Sequence, residues 1–148
     1  RLVPLAVCVD DQRRVVAAAA LANVTAYTLL SGHFVAGGAV SQFDRDSSST
    51  SVTPAWRDAV WHVVLSAGWE LNATVATQKQ IFTGVSQLTD FWRAAFPDTG
   101  AYFSESDYLE PNWQQAFWGS ANYARLQRIK RLYDPAEVFT CHHCVTLQ

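Results

Sequence analysis

Methionine is missing altogether, cysteine is limited to three residues, and only 16% of the 148 residues are charged. With no methionine there is no initiator residue, so the chain is expected to be a processed, truncated or partial product. Its opening, Arg1-Leu2-Val3-Pro4-Leu5, does not make a secretory signal, because Pro4 breaks the apolar stretch and Asp10 and Asp11 follow it. No apolar run is long enough to span a bilayer, which argues against a transmembrane helix. The net charge of −2 provides no general attraction to nucleic acid. An odd cysteine count (Cys8, Cys141 and Cys144) suggests that, in a secreted chain, one thiol pairs outside it.

Apolar residues are plentiful. At 49% of the chain, with so few charges, they give a globular rather than a disordered composition, and the length suffices for one domain with a real core. Residues 3–9 read as a short buried strand, followed by Asp10 and Asp11 as helix caps. The alanine-rich stretch from Gln12 to Leu30 reads as a helix packed on more than one side, ended by Ser31-Gly32. Residues 33–40 read as a strand whose Gly37-Gly38 pair permits a bulge, and residues 46–53 as a polar loop. Ala55–Trp69 is apolar on both alternating faces, as a covered central strand would be.

Residues 74–95 repeat Ile81, Val85, Leu88, Phe91, Trp92 and Phe96 at helical spacing. Pro97-Asp98-Thr99-Gly100 closes that helix, and residues 101–103 read as a short strand. Helical segments are expected at Trp113–Trp118 and Ala121–Tyr133, the second carrying Tyr123, Leu126, Ile129 and Tyr133 on one stripe. The basic residues of that helix fall largely off the stripe and read as a solvated face.

Several short signals admit two readings. Asn23-Val24-Thr25 and Asn72-Ala73-Thr74 fit the acceptor pattern for N-glycosylation. Cys141-His142-His143-Cys144 offers four metal ligands, yet adjacent histidines converge poorly on one tetrahedral ion with both flanking thiolates, so no metal is assigned and a disulfide is favoured. His62 lies mid-strand between apolar neighbours and reads by default as a satisfied core histidine.

The densest pattern lies at the C-terminal end. It comprises Tyr102-Phe103-Ser104-Glu105, Trp113-Gln114, Phe117-Trp118-Gly119, Asn122-Tyr123-Ala124-Arg125-Leu126, Ile129-Lys130 and Tyr133-Asp134-Pro135. This order resembles the C-terminal motif of berberine bridge enzyme-like FAD-linked oxidases, within the vanillyl-alcohol oxidase superfamily. Upstream segments, Phe34 to Val40 and Pro54 to Val60, are similar to those of fungal secreted isoamyl alcohol oxidases.

The resemblance implies an α+β fold. Residues 1–99 would be the C-terminal portion of a substrate-binding domain, with an antiparallel sheet and flanking helices. Residues 100–148 would complete the FAD-binding half, and nothing in the sequence resembles the family's N-terminal FAD-binding domain. It implies FAD as cofactor, an alcohol or sugar substrate, O2 or another electron acceptor, and a secreted protein with no nucleic-acid or membrane partner. The principal partner would be the N-terminal FAD-binding part of the same protein. Tyr102 is then a candidate catalytic and flavin-side residue, the alternative being a buried aromatic with a satisfied hydroxyl. Ser104 is a candidate cofactor contact, standing where the family commonly has asparagine, which shortens its reach. Because the matched strand belongs to the substrate sheet, either His62 or Trp61 is a candidate to line the substrate pocket. Asn122 is a candidate cofactor contact or a helix cap, and Glu105 a partner for Arg125 or a cap. A catalytically inert relative, and a small zinc module resting on the Cys-His-His-Cys run, are the rival readings.

Overall fold

The computed structural model describes residues 1–22, 28–43 and 49–147. Three antiparallel strands, β1 (Leu2–Pro4), β2 (Thr28–Phe34) and β3 (Ala59–Ala67), form a sheet in the order β1-β3-β2. The doubly apolar strand is thus the central one. His33 stands opposite His62 and Phe34 opposite Trp61. Because side chains alternate along a strand, the two histidines share one face and Phe34 and Trp61 the other. β1 covers β3 only from Ala59 to His62, and the Val63 amide donates to the Arg1 carbonyl at 2.9 Å. Beyond Val63, that edge of β3 has no strand beside it among the described residues.

Helices α1 (Leu5–Val9), α2 (Asp11–Ala22), α3 (Gly38–Gln42), α4 (Val75–Ala95), α5 (Trp113–Phe117) and α6 (Ser120–Tyr133) surround the sheet. Thr74 caps α4, its hydroxyl accepting from the Thr77 amide at 3.1 Å. The main core joins Val3, Val7, Ala17, Ala20, Val63, Trp92 and Phe96. The Trp92 indole donates to the Ala20 carbonyl at 3.1 Å, fixing α4 against α2. A smaller cluster gathers Ala101, Ala116 and Phe117.

The long C-terminal helices fall where the periodicity places them, but several short elements do not. Residues 5–9 are helix rather than strand, so Val7 turns inward while Leu5 and Val9 face out. A short apolar run has no periodicity that separates the two states. The helix expected from Gln12 to Leu30 ends at Ala22, and Thr28–Leu30 pair with Leu65–Ala67. α2 buries only Ala17 and Ala20, leaving Val15 and Val16 exposed, so it packs on one side. The strand expected over 33–40 stops at Phe34. Gly37 and Gly38 take positive φ of 82° and 54°, a reversal open to glycine, and α3 begins there. Pro54–Arg57 is a 3-10 turn leading into β3, not the strand's first residues. The polar loop expected at 46–53 lies partly outside the described residues. On α6, Tyr123 is buried but Tyr133, at the end of the same stripe, is 83% exposed.

Candidate functional site

Gly100 sets the approach to the site. A Cβ there would stand 2.8 Å from the Ala116 carbonyl oxygen and 2.9 Å from the Ala55 side chain, so only glycine fits. Its carbonyl accepts from the Leu2 amide, and the Ala101 amide donates to Ala116, both at 2.9 Å. The chain is thereby pinned between β1 and α5 just before Tyr102.

Residues 101–103 do not form the expected strand. Phe103–Glu105 is a 3-10 turn, closed by the Glu105 amide donating to the Tyr102 carbonyl at 3.1 Å. Tyr102 precedes the turn in an extended conformation, and both its ring and the Glu105 carboxylate approach His62. In a strand they would have pointed to opposite faces.

Beneath them lies His62, 4% exposed. Its ring centroid is 5.9 Å from that of Tyr102 and 5.5 Å from that of Trp56, and Trp56 and Tyr102 meet edge to face. His33 lies 6.2 Å away across the strand pair. Nδ1 of His62 is 3.7 Å from a Glu105 carboxylate oxygen, while Nε2 is buried with no hydrogen-bond partner among the described residues. Burial holds the His62 pKa below the ordinary imidazole value, the Glu105 carboxylate opposing in part. The ring is therefore neutral near pH 7. Glu105 thus approaches His62, a contact that the sequence reading, which offered Arg125 or a capping role, did not include.

A groove of about 450 Å³ runs along β3 and α4, lined by Ser31, His33, Leu65, Phe82, Glu105 and Tyr108 among others. Neither buried His62 nor Tyr102, 42% exposed, is among the residues that line this groove. Trp61 is on the opposite face, edge to face with Phe34 at 5.4 Å, so strand alternation separates the two candidate pocket residues. At the groove's end a buried charged cluster ties three segments together. Glu110 accepts from Arg1 at 2.9 Å and from Arg93 at 3.0 Å, and Arg93 also pairs with Asp107.

Asn122 is elsewhere. It is the third residue of α6 rather than its cap, and its side-chain amide donates to the Val52 carbonyl at 3.0 Å. It borders a cavity of about 150 Å³ with Ser49, Thr50, Ser51 and Arg125, where the Thr50 hydroxyl is buried without a partner among the described residues. Ser104 is exposed. Asn72 sits in an exposed turn before α4, and Asn23 lies outside the described residues.

Cys141 and Cys144 are joined to each other, leaving Cys8 as the free thiol. Their loop stacks His142 on Tyr108 at 3.9 Å and His143 on Trp113 at 5.2 Å. Both histidines thus serve as aromatic packing in this structure. The approach of Glu105 to His62 is the feature that sequence reasoning missed. The turn-forming run Ser104-Glu105-Ser106-Asp107 was the signal available for it.

Residues 101–146 match the family model described as berberine and berberine like. This stretch is thus a berberine bridge enzyme-like segment. An uncharacterized FAD-linked oxidoreductase of Arthroderma benhamiae is 40% identical over 109 residues, covering 73% of this chain and 18% of its own length. A VAO-type flavoprotein oxidase of Thermothelomyces thermophilus is 27% identical over 143 residues, 94% of this chain and 24% of its own. The crystal structure of a VAO-type flavoprotein from Myceliophthora thermophila superposes with a TM-score of 0.85 at 27% identity, covering 98% of this chain and 25% of that one. The chain therefore spans about a quarter or less of these relatives, and the small antiparallel α+β unit is a portion of a VAO-type fold.

Proposed function

We propose that this chain is the C-terminal part of a secreted FAD-dependent oxidoreductase that oxidises an alcohol or sugar, with O2 or another acceptor closing the cycle. Residues 1–99 would belong to the substrate domain and 100–148 to the segment completing the FAD-binding half. The two apolar clusters, one on each side of Gly100 in the sequence, support that division. FAD supplies hydride acceptance when bound. The observation that carries the reading is a half-exposed tyrosine and a carboxylate that both approach one buried histidine. Tyr102 is the residue we assign to orienting the substrate hydroxyl, with Ser104 as a shorter-reaching neighbour.

The chain's own residues fit the cofactor only in part. The hydroxyls and amide around Thr50 and Asn122 suit a polar edge of a nucleotide, and the orphaned Thr50 hydroxyl awaits a partner. At about 150 Å³ that cavity is far below what even a drug-sized ligand occupies, roughly 300–1,000 Å³. The remainder of the protein must therefore hold most of FAD. Purified alone, mixed with FAD and dialysed, the chain should retain no stoichiometric flavin. Retained absorbance at one FAD per chain would refute the proposed division of labour. A catalytically inert relative is the second reading, favoured by Ser104 in place of the family's asparagine. It would follow if the complete flavoprotein binds FAD but no alcohol or sugar reduces it.

Secretion carries its own test. Asn72 is exposed in its turn, with Thr74 two residues on, and glycosylation requires such access. Expressed in a eukaryotic secretory host, the complete protein should lose mass on treatment with an N-glycosidase, and Asn72→Gln should remove that increment. An unchanged mass in both would count against use of the site.

A further inference from the structure

The pairing at Glu105 extends the proposed function, on which this inference rests. Two observations are unexplained by packing alone. His62 is almost fully buried, yet its Nε2 has no partner among the described residues. A polar atom buried in this way marks a side chain held for some purpose other than its own satisfaction. Its other nitrogen, Nδ1, is directed at Glu105, whose side chain is 48% exposed and lines the groove.

We infer that Glu105 is the carboxylate that meets the substrate hydroxyl in this groove, and that buried His62 is the positioning residue that holds it there. The walls of Trp56 and Tyr102 keep the imidazole from turning, and β3 supplies a rigid base. A neutral imidazole facing a carboxylate carries its proton on Nδ1, toward the acceptor. Nε2 is then an unprotonated nitrogen, consistent with its having no hydrogen-bond partner among the described residues. The 3.7 Å separation is a small side-chain rotation away from a hydrogen bond. One carboxylate oxygen faces His62 and the other is free for the groove.

The chemistry assigned to Glu105 follows. The substrate O–H bond breaks and the proton passes to a Glu105 oxygen. FAD, when bound, would supply the acceptor for the C–H pair of the same carbon, leaving a carbonyl. Tyr102, whose ring meets the same His62 that Glu105 approaches, would orient the hydroxyl. The ligand class is a hydroxyl donor, an alcohol or sugar, because an exposed carboxylate backed by a neutral histidine accepts hydrogen bonds.

Two measurements on the complete flavoprotein test this. In the first, flavin reduction is followed anaerobically with primary alcohols and reducing sugars at saturation. Glu105→Gln should lower the limiting rate by about 10²-fold or more, with the half-saturating concentration changing less than threefold. His62→Leu should be slowed about tenfold, and His62→Gln, whose amide still donates, should recover most of that loss. In the second, nitrogen-15 NMR of labelled histidine reads the His62 tautomer, assigned by its loss in His62→Gln. The Nδ1–H form should dominate, and Glu105→Ala should shift the population toward Nε2–H. A Glu105→Gln rate within threefold of the parent, or equal rates for the two His62 variants, would overturn the inference. If no alcohol or sugar reduces the parent's flavin, the proposed substrate class fails by itself. The tautomer then decides the pairing: a dominant Nε2–H form, or one unmoved by Glu105→Ala, overturns it.

Discussion

Tyr102→Phe in the complete flavoprotein should slow flavin reduction by about 10²-fold, while substrate affinity changes little. The ring contacts to His62 and Trp56 survive in phenylalanine, so packing is retained. What is lost is a hydroxyl on a residue 42% exposed, whose ring meets the same His62 that the Glu105 carboxylate approaches. An orienting group acts mainly after binding, so its removal lowers the limiting rate more than it raises the half-saturating concentration. Stopped-flow reduction at saturating substrate measures this. A rate within a factor of a few of the parent would return Tyr102 to a packing role.

Glu110→Ala should lower the free energy of unfolding by about 3 kcal/mol. Glu110 is 4% exposed and is the carboxylate between Arg1 and Arg93. Removing it leaves the buried Arg1 guanidinium with only the Thr99 carbonyl at 3.3 Å among its described side-chain contacts. Arg93 keeps Asp107 and Asp90, which limits the loss. The exposed pair between Arg14 and Asp11 is the contrast, and Asp11→Ala should cost under about 1 kcal/mol. Urea unfolding followed by tryptophan fluorescence compares the two. Similar midpoints for both variants would show that the buried cluster adds little.

The two predictions lie at different depths of legibility. Tyr102 stands out in the sequence through the family motif, whereas nothing in the spacing of Arg1, Arg93 and Glu110 marks them as partners. Their contact joins residues 109 and 17 positions apart, and a charge carries no periodicity that would betray its burial. The same limit explains the short elements. Thr28–Leu30 continue an alanine-rich helical run, yet β3 offers them a ladder, and backbone pairing with a central strand overrides weak local preference. Residues 5–9 were apolar throughout, and only the contact of Val7 with the α2–α4 core selects a helix.

By itself the sequence determined the elements with strong periodicity, α4 and α6, the central place of β3, and the family through an ordered run of motif residues. Those features repeat over many positions, so local chemistry suffices to specify them. The site's composition was only half determined. His62 and Tyr102 were legible as candidates, but the sequence could not choose between Trp61 and His62, because both faces of the strand are apolar. Tertiary structure separated them by placing His62 against Tyr102 and Trp61 against Phe34, and neither lines the groove along β3. It also brought Glu105 to His62. With no room for a side chain at Gly100 beside Ala116 and Ala55, the chain closes a 3-10 turn over Phe103–Glu105 instead of extending. The turn carries the Glu105 carboxylate to within 3.7 Å of the histidine that Tyr102 also meets, a contact between distant positions that no local pattern encodes.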